Sequence, residues 1–309
     1  MIRVLIVASS NRGQYAPFVV EQADALRQCG CEVDFYGVVG KGWSGYLNNL
    51  AGLKKKIHSF HPDVIHAHYG LSGLLANLQR KVPVVTTYHG SDINDPKAYR
   101  FSKTAIRLSA WNIFVSKEIL EKAKVVKKCS LLPCGVDVKG IKPVDKKDAR
   151  KEMNLIQEKK YVLFAGAFDN EVKNAALAQQ AVSNLGDATA ELLELKGYSR
   201  EEVGLLLCAA DVLLMTSWAE GSPQVIKEAM AYGCPIVSVD VGDVKERVDG
   251  IGGCYVTLSR DPQELAECLR KAFSFKGRTE GYHKIIVDGM DNDVVAKRLV
   301  EIYERVCHD

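Results

Sequence analysis

Short apolar runs alternate along this chain with longer amphipathic stretches, and that alternation constrains the fold more than any other feature. In the first half the runs fall at residues 4–8, 33–38, 64–68, 84–88, 113–115 and 130–132. Each is too short for a helix and largely apolar, as expected of strands covered on both faces. Between them, stretches near 15–28, 46–60, 72–79, 96–109 and 117–126 carry helical patterning. Strands separated by helices return as parallel neighbours, so the pattern predicts a parallel sheet with helices on both sides. Pro133 and Gly135 end this series, and the polar stretch 139–148, with Pro143, reads as a linker. A second series follows, with strands at 161–165, 192–195, 212–215 and 236–239 and helices near 173–184, 199–209, 262–275 and 291–306. The class is α/β, in two halves flanking a cleft.

Size and charge narrow the options. At 309 residues the chain exceeds one ordinary core. Its 47% hydrophobic and 26% charged residues are those of a soluble globular protein. No apolar run approaches the ~20 residues that span a bilayer, and residues 1–10 read as a first strand rather than a signal peptide. The nine cysteines are odd in number and lack zinc or Cys-x-x-Cys spacing, so reduced thiols in a cytoplasmic protein are expected. Residues 1–144 carry 20 Lys and Arg against 10 Asp and Glu, a net +10, whereas the rest carries 21 against 28, a net −7. Clusters at Lys54-Lys55-Lys56 and at Lys122, Lys124, Lys127 and Lys128 suit a solvated face, an anionic membrane surface or an anionic lipid-linked acceptor. No aromatic-interleaved basic stripe favours nucleic acid.

The segment from Ala210 to Asp243 reads as strand, tight loop, helix, loop and strand. Ser222 is expected to cap the helix, Pro223 to lie in its first turn, and Gly233 with Pro235 to end it. Glu220 and Glu228 are eight positions apart, one before the helix and one within it. Backbone N–H groups of Gly221, Ser222 and Gln224 at the helix start suit an oxygen-rich or anionic ligand. The plain alternative is an ordinary crossover with solvated carboxylates.

In the first half, Thr87-Tyr88-His89-Gly90-Ser91-Asp92 follows a strand, at the edge where open α/β sheets bind ligands. His66 and His68 share one strand face, but no third metal ligand is spaced with them, so structural packing is expected. In Ser10-Asn11-Arg12-Gly13, Gly13 would let the backbone approach a phosphate. The Gly-x-Gly-x-x-Gly of nicotinamide sites is missing there.

Glu220-x7-Glu228 followed by Ala229-Met230-Ala231-x-Gly233-x-Pro235 resembles the donor-site signature of family-4 retaining glycosyltransferases of the GT-B fold. The resemblance runs over nearly the whole chain. It implies two Rossmann-like domains facing across a cleft, an acceptor-side domain at 1–140 and a donor-binding domain at 145–290, with a final helix at 291–309 crossing back to the first. It implies transfer of a sugar from a nucleoside diphosphate sugar to the hydroxyl of a glycan or lipid-linked acceptor, with retention and without a cofactor or metal. No Asp-x-Asp lies at a strand end. The resemblance gives His89 and Glu220 catalytic roles at the sugar, where a histidine can donate a hydrogen bond to a hydroxyl. Donor binding falls to Gly13, Lys173, Tyr198, Gly221, Ser222, Pro223, Gln224 and Glu228, with Lys173 at the diphosphate, Tyr198 stacked on the base and Glu228 on the ribose. Two departures stand out. Ala167 holds the place of the family's usual arginine, leaving Arg12 as the next cation to consider, and Gly13 is a single glycine where a pair is common. The texture of 222–230 and 240–244 resembles bacterial surface-polysaccharide enzymes, which implies a cytoplasmic protein, peripheral at the inner membrane face. The alternatives are a nucleotide-sugar 2-epimerase, a non-catalytic nucleotide-sugar-binding subunit, and a dehydrogenase, the last disfavoured by the missing glycine fingerprint.

Overall fold

The computed structural model describes residues 1–11 and 13–308, so Arg12 lies outside the described residues. The chain divides into two compact units, one built from residues 1–137 with the segment from Met290 onward, the other from Val138–Gly289.

The first unit holds a parallel sheet of β1 (Arg3–Ser9), β2 (Glu32–Val38), β3 (Val64–His68), β4 (Val84–Tyr88), β5 (Trp111–Phe114) and β6 (Cys129–Leu131), in the order β2-β1-β3-β4-β5-β6. Side chains alternate along a strand, so β1 feeds two cores. Val4 and Ile6 join Ala23 and Leu26 of helix Pro17–Gln28, together with Val295, Leu299 and Tyr303 of the C-terminal helix Asn292–His308. Leu5 and Val7 join Leu53, Ile65 and Leu75 on the opposite face. Nearly all of these are fully buried, the valine, leucine and isoleucine side chains each contributing about 1.5–3 kcal/mol by removal from water.

The second unit holds β7 (Lys160–Phe164), β8 (Ala190–Glu194), β9 (Val212–Met215), β10 (Ile236–Val239) and β11 (Cys254–Thr257), all parallel, in the order β11-β10-β9-β7-β8. In both sheets the chain lays its second strand on one side of the first and its third on the other. That reversal opens a crevice at the carboxyl ends of the first and third strands, where such sheets take ligands. At the opposite end of the second sheet, Asp211 accepts from Arg150 Nη2 at 2.8 Å and Tyr161 N at 2.6 Å, which ties the helix Lys146–Glu152 to the strands.

Some local expectations need correcting. The stretch 46–60 is two helices, Gly42–Leu47 and Leu50–Phe60, broken at Asn48-Asn49, where the Asn49 side chain turns back to bond the backbone of Val39 and Gly45. The helix expected from 173 begins at Ala175, because Glu171–Lys173 is a 3-10 turn and Asn174 is left-handed at φ 55°. Ser222 does not cap the following helix. Pro223, at φ −67° and ψ 124°, holds the N-cap position of Gln224–Ala231, and no side chain bonds there. The linker stretch is partly helical, since Asp145 caps Lys146–Glu152. Strand β11 and the helices Ser91–Asn94, Val244–Val248 and Gly281–Val287 are additions to the elements expected from the pattern.

Candidate functional site

In the second unit, the loops after β7 and β9 meet at the crevice between the sheet's first and third strands. Thr216 Oγ1 donates to the carbonyls of Lys173 and Asn174 at 3.0 Å each, and Trp218 N donates to Val172 O at 2.8 Å. Lys173 is thereby presented to the β9 loop, where its Nζ donates to Glu220 Oε1 at 2.6 Å, with both side chains largely buried. Gly166 at the end of β7 makes this crossing possible, because a Cβ there would lie 2.6 Å from Lys173 Cγ. Two residues expected at the reacting centre, 47 positions apart in sequence, thus form one ion pair.

Glu228 lies on the helix Gln224–Ala231, only 7% exposed. Its Oε1 accepts from Arg200 Nη1 at 2.5 Å. Arg200 opens the helix Arg200–Ala209, held in place by the capping box of Ser199 and Glu202. Sequence reading missed Arg200, although it stands two residues after Tyr198 at a recognisable helix start. Tyr198 itself is exposed on the loop after β8. Gly221 is buried and its carbonyl accepts from Asp243 N at 3.2 Å, while the Ser222 hydroxyl is buried with no hydrogen-bond partner among the described residues. Pro223 and Gln224 complete the turn into the helix.

The turn around Ala167, residues 166–170, carries no cation in place of the missing arginine. Arg260, also missed in the sequence, reaches the β9 loop instead. Its Nη1 donates to Thr216 O at 3.1 Å, and its guanidinium lies 4.6 Å over the exposed Trp218 ring. Arg–aromatic stacking of this kind keeps the planar cation in place without a carboxylate.

In the first unit, Gly13 stands in the loop after β1 at φ +77°, with open space where a Cβ would point. That backbone conformation suits glycine. His89 follows β4, and the buried Asp92 shapes its loop by accepting from the N–H groups of His89, Gly90 and Gly70 at 3.0–3.1 Å. Burial pushes the Asp92 carboxyl up to about 6, against the lowering effect of those N–H groups. The His89 Nε2 lies 3.1 Å from His68 Nδ1, and its Nδ1 lies 3.8 Å from Cys134 Sγ. Phe18 and Tyr69 pack on the ring, with centroids 5.1 and 4.4 Å away.

His66 and His68 are fully buried packing residues. His66 Nδ1 bonds Tyr303 Oη at 2.6 Å and its Nε2 bonds Thr87 Oγ1 at 2.7 Å. Burial lowers both rings, His68 to about 3, so both are neutral near pH 7. Among the described residues, no group of three or more His, Cys, Asp and Glu is placed to hold a metal ion. No helix of the described residues is long and apolar enough to cross a membrane.

Residues 4–139 match the family described as Glycosyltransferase Family 4, and residues 149–274 match the family described as Glycosyl transferases group 1. A Bacillus subtilis protein named as a putative teichuronic acid biosynthesis glycosyltransferase is 28% identical over 245 residues, covering 70% of this chain and 62% of that protein. The chain thus spans about three fifths of the length of that curated relative. Among solved structures, a sucrose-phosphate synthase from Thermosynechococcus elongatus is similar with a TM-score of 0.84 at 17% identity, covering 99% of each chain. The Anabaena protein HepE, solved in complex with UDP, has a TM-score of 0.75 at 16% identity, covering 98% of this chain and 100% of that one. These likenesses establish the fold as that of GT-B glycosyltransferases.

Proposed function

Because the chain belongs to the family-4 glycosyltransferases, we propose that it moves a sugar from a nucleoside diphosphate sugar to an acceptor hydroxyl, with retention at the anomeric carbon. The observation that carries this reading is the Lys173–Glu220 pair at the crevice of the second sheet. In the reaction, the bond from the anomeric carbon to the diphosphate oxygen breaks and the diphosphate leaves with the electron pair. The acceptor oxygen bonds to that carbon, and its proton leaves with the nucleoside diphosphate. Negative charge therefore grows on the diphosphate while the sugar becomes cation-like. Lys173 and the start of the helix Gln224–Ala231 stabilise the first charge, and Glu220 the second. Glu228 accepts from the ribose hydroxyls, Tyr198 stacks on the base, and Gly13 leaves its backbone open to a phosphate. His89 donates to the sugar.

The Anabaena neighbour was also solved with UDP and glucose, which makes a uridine donor the first to try here. The acceptor proposed is a glycan or lipid-linked chain in surface-polysaccharide synthesis, in line with the relative's printed role. We further propose that transfer needs no added metal and that the basic first unit rests on anionic membrane at its cytoplasmic face. A thermal-shift screen of nucleoside diphosphates and their sugars tests the donor assignment. A ligand at 100 times its dissociation constant stabilises by about 2.7 kcal/mol. Absence of a shift with every diphosphate would reject it. Epimerised nucleotide sugar released without acceptor would favour the 2-epimerase, and binding without turnover across acceptors would favour a non-catalytic subunit.

A further inference from the structure

His89 is held by a second histidine, and the hydrogen-bonding of that pair leaves one arrangement of hydrogens without a buried, unpaired N–H. A single hydrogen can lie between His68 Nδ1 and His89 Nε2, which are 3.1 Å apart. If His89 Nε2 carried it, a neutral His68 would have its own hydrogen on Nε2. That nitrogen is buried without a hydrogen-bond partner among the described residues, and a buried, unpaired N–H costs more than a bare lone pair. With the hydrogen on His68 Nδ1 instead, only a lone pair at Nε2 is left without a partner among the described residues. His89 Nε2 is then the acceptor, and a neutral His89 has its hydrogen on Nδ1. Its neighbour on that side, Cys134 Sγ at 3.8 Å, is a weak partner that a hydroxyl can displace.

We propose that His68 is the positioning residue of His89, donating from Nδ1 so that His89 presents an Nδ1–H donor to the sugar. The inference rests on the role proposed above for His89. The support behind His68 is built for rigidity. His66 stacks on it with centroids 4.6 Å apart, and both nitrogens of His66 are tied, one to Thr87 and the other to Tyr303 of the C-terminal helix. Phe18 closes its edge at 6.0 Å. A hydrogen bond made by one ring nitrogen sets which form the other takes, so this buried stack fixes both the angle and the tautomer of His89.

The test is histidine-labelled 15N NMR of the full chain, with His89 assigned by the loss of its signals in His89→Ala. The expected wild-type spectrum has His89 hydrogen-bearing at Nδ1, and a hydrogen on Nε2 would overturn the proposal without any assay of turnover. In His68→Phe the ring volume stays and the donor goes. Turnover, followed as nucleoside diphosphate release, should fall about 10²-fold, as for a misplaced reacting group, with KM for the donor unchanged. In His68→Asn the amide N–H takes the place of Nδ1–H and should restore most of kcat. Equal turnover in His68→Phe and wild type, or equal losses in the Phe and Asn variants, would overturn the positioning role. Full activity in His89→Ala would instead reject the underlying role of His89, while the nitrogen spectrum would still report the tautomer.

Discussion

Lys173 and Glu220 form a 2.6 Å ion pair between the loops that follow the first and third strands of the second sheet. Each charge is compensated before any ligand arrives, so neither has to be buried alone. In the role proposed for the pair, a bound diphosphate shares the lysine while the carboxylate turns to the sugar. Lys173→Ala should therefore lower kcat by about 10²–10³-fold, the range seen when one preorganised donor is removed. Turnover equal to wild type would place the diphosphate elsewhere.

Glu228→Gln keeps the shape of the side chain and removes its charge. Affinity for UDP, measured by calorimetry, should weaken by ~1.5–3 kcal/mol, the worth of hydrogen bonds to a charged group. Unchanged affinity would leave Glu228 with only its structural partner, Arg200.

His89→Ala should lower kcat strongly and leave UDP affinity unaltered, because the nucleotide contacts proposed for Glu228, Lys173 and Tyr198 all lie in the second unit. Loss of UDP binding in this variant would contradict the division of roles.

Acid should weaken the first unit. The folded-state pKa of His68, about 3, lies below its ordinary 6.5. Its stabilising contribution is therefore complete above pH 6.5 and is lost as pH falls toward 3. Asp92 works the other way. Its folded value of about 6 lies above the ordinary 3.8, so its contribution is complete below 3.8 and is lost as pH rises through 6. At ~1.4 kcal/mol per unit, the larger histidine shift, joined by that of His66, outweighs Asp92. Urea midpoints should fall as pH drops from 6.5 to about 4, and His68→Asn should flatten that fall. An equally steep fall in the variant would assign it to other groups.

Sedimentation with anionic vesicles should show binding at low salt that declines as ionic strength rises, because exposed charges are screened over ~8–10 Å near physiological salt. Indifference to vesicles at low salt would make the net +10 of residues 1–144 a solvated surface.

Much of this protein is legible in the one-dimensional chain. A strand covered on both faces is largely apolar, so β1, β3, β4, β7 and β9 stand out as apolar runs, interrupted only by polar side chains such as His66 and Thr87 that find buried partners, and their spacing forces parallel crossovers. The signature around Glu220 and Glu228 is local and ordered, so it too can be read without coordinates. Strand β11 escapes such a reading because it lies at a sheet edge, and Cys254, Tyr255 and Val256 are only partly buried. The two halves of residues 46–60 are parted where the Asn49 side chain bonds to backbone four and ten residues away, which periodicity cannot register. Partnership was decided by the tertiary structure alone. Alternation tells which face a side chain takes but not which strand lies beside it, and that choice joins Lys173 to Glu220, Arg200 to Glu228 and His68 to His89. The bond from His66 to Tyr303 spans 237 positions. It exists because the C-terminal helix returns to the first sheet, burying Leu299 and Tyr303 there, and the apolar surface removed from water by that return drives it.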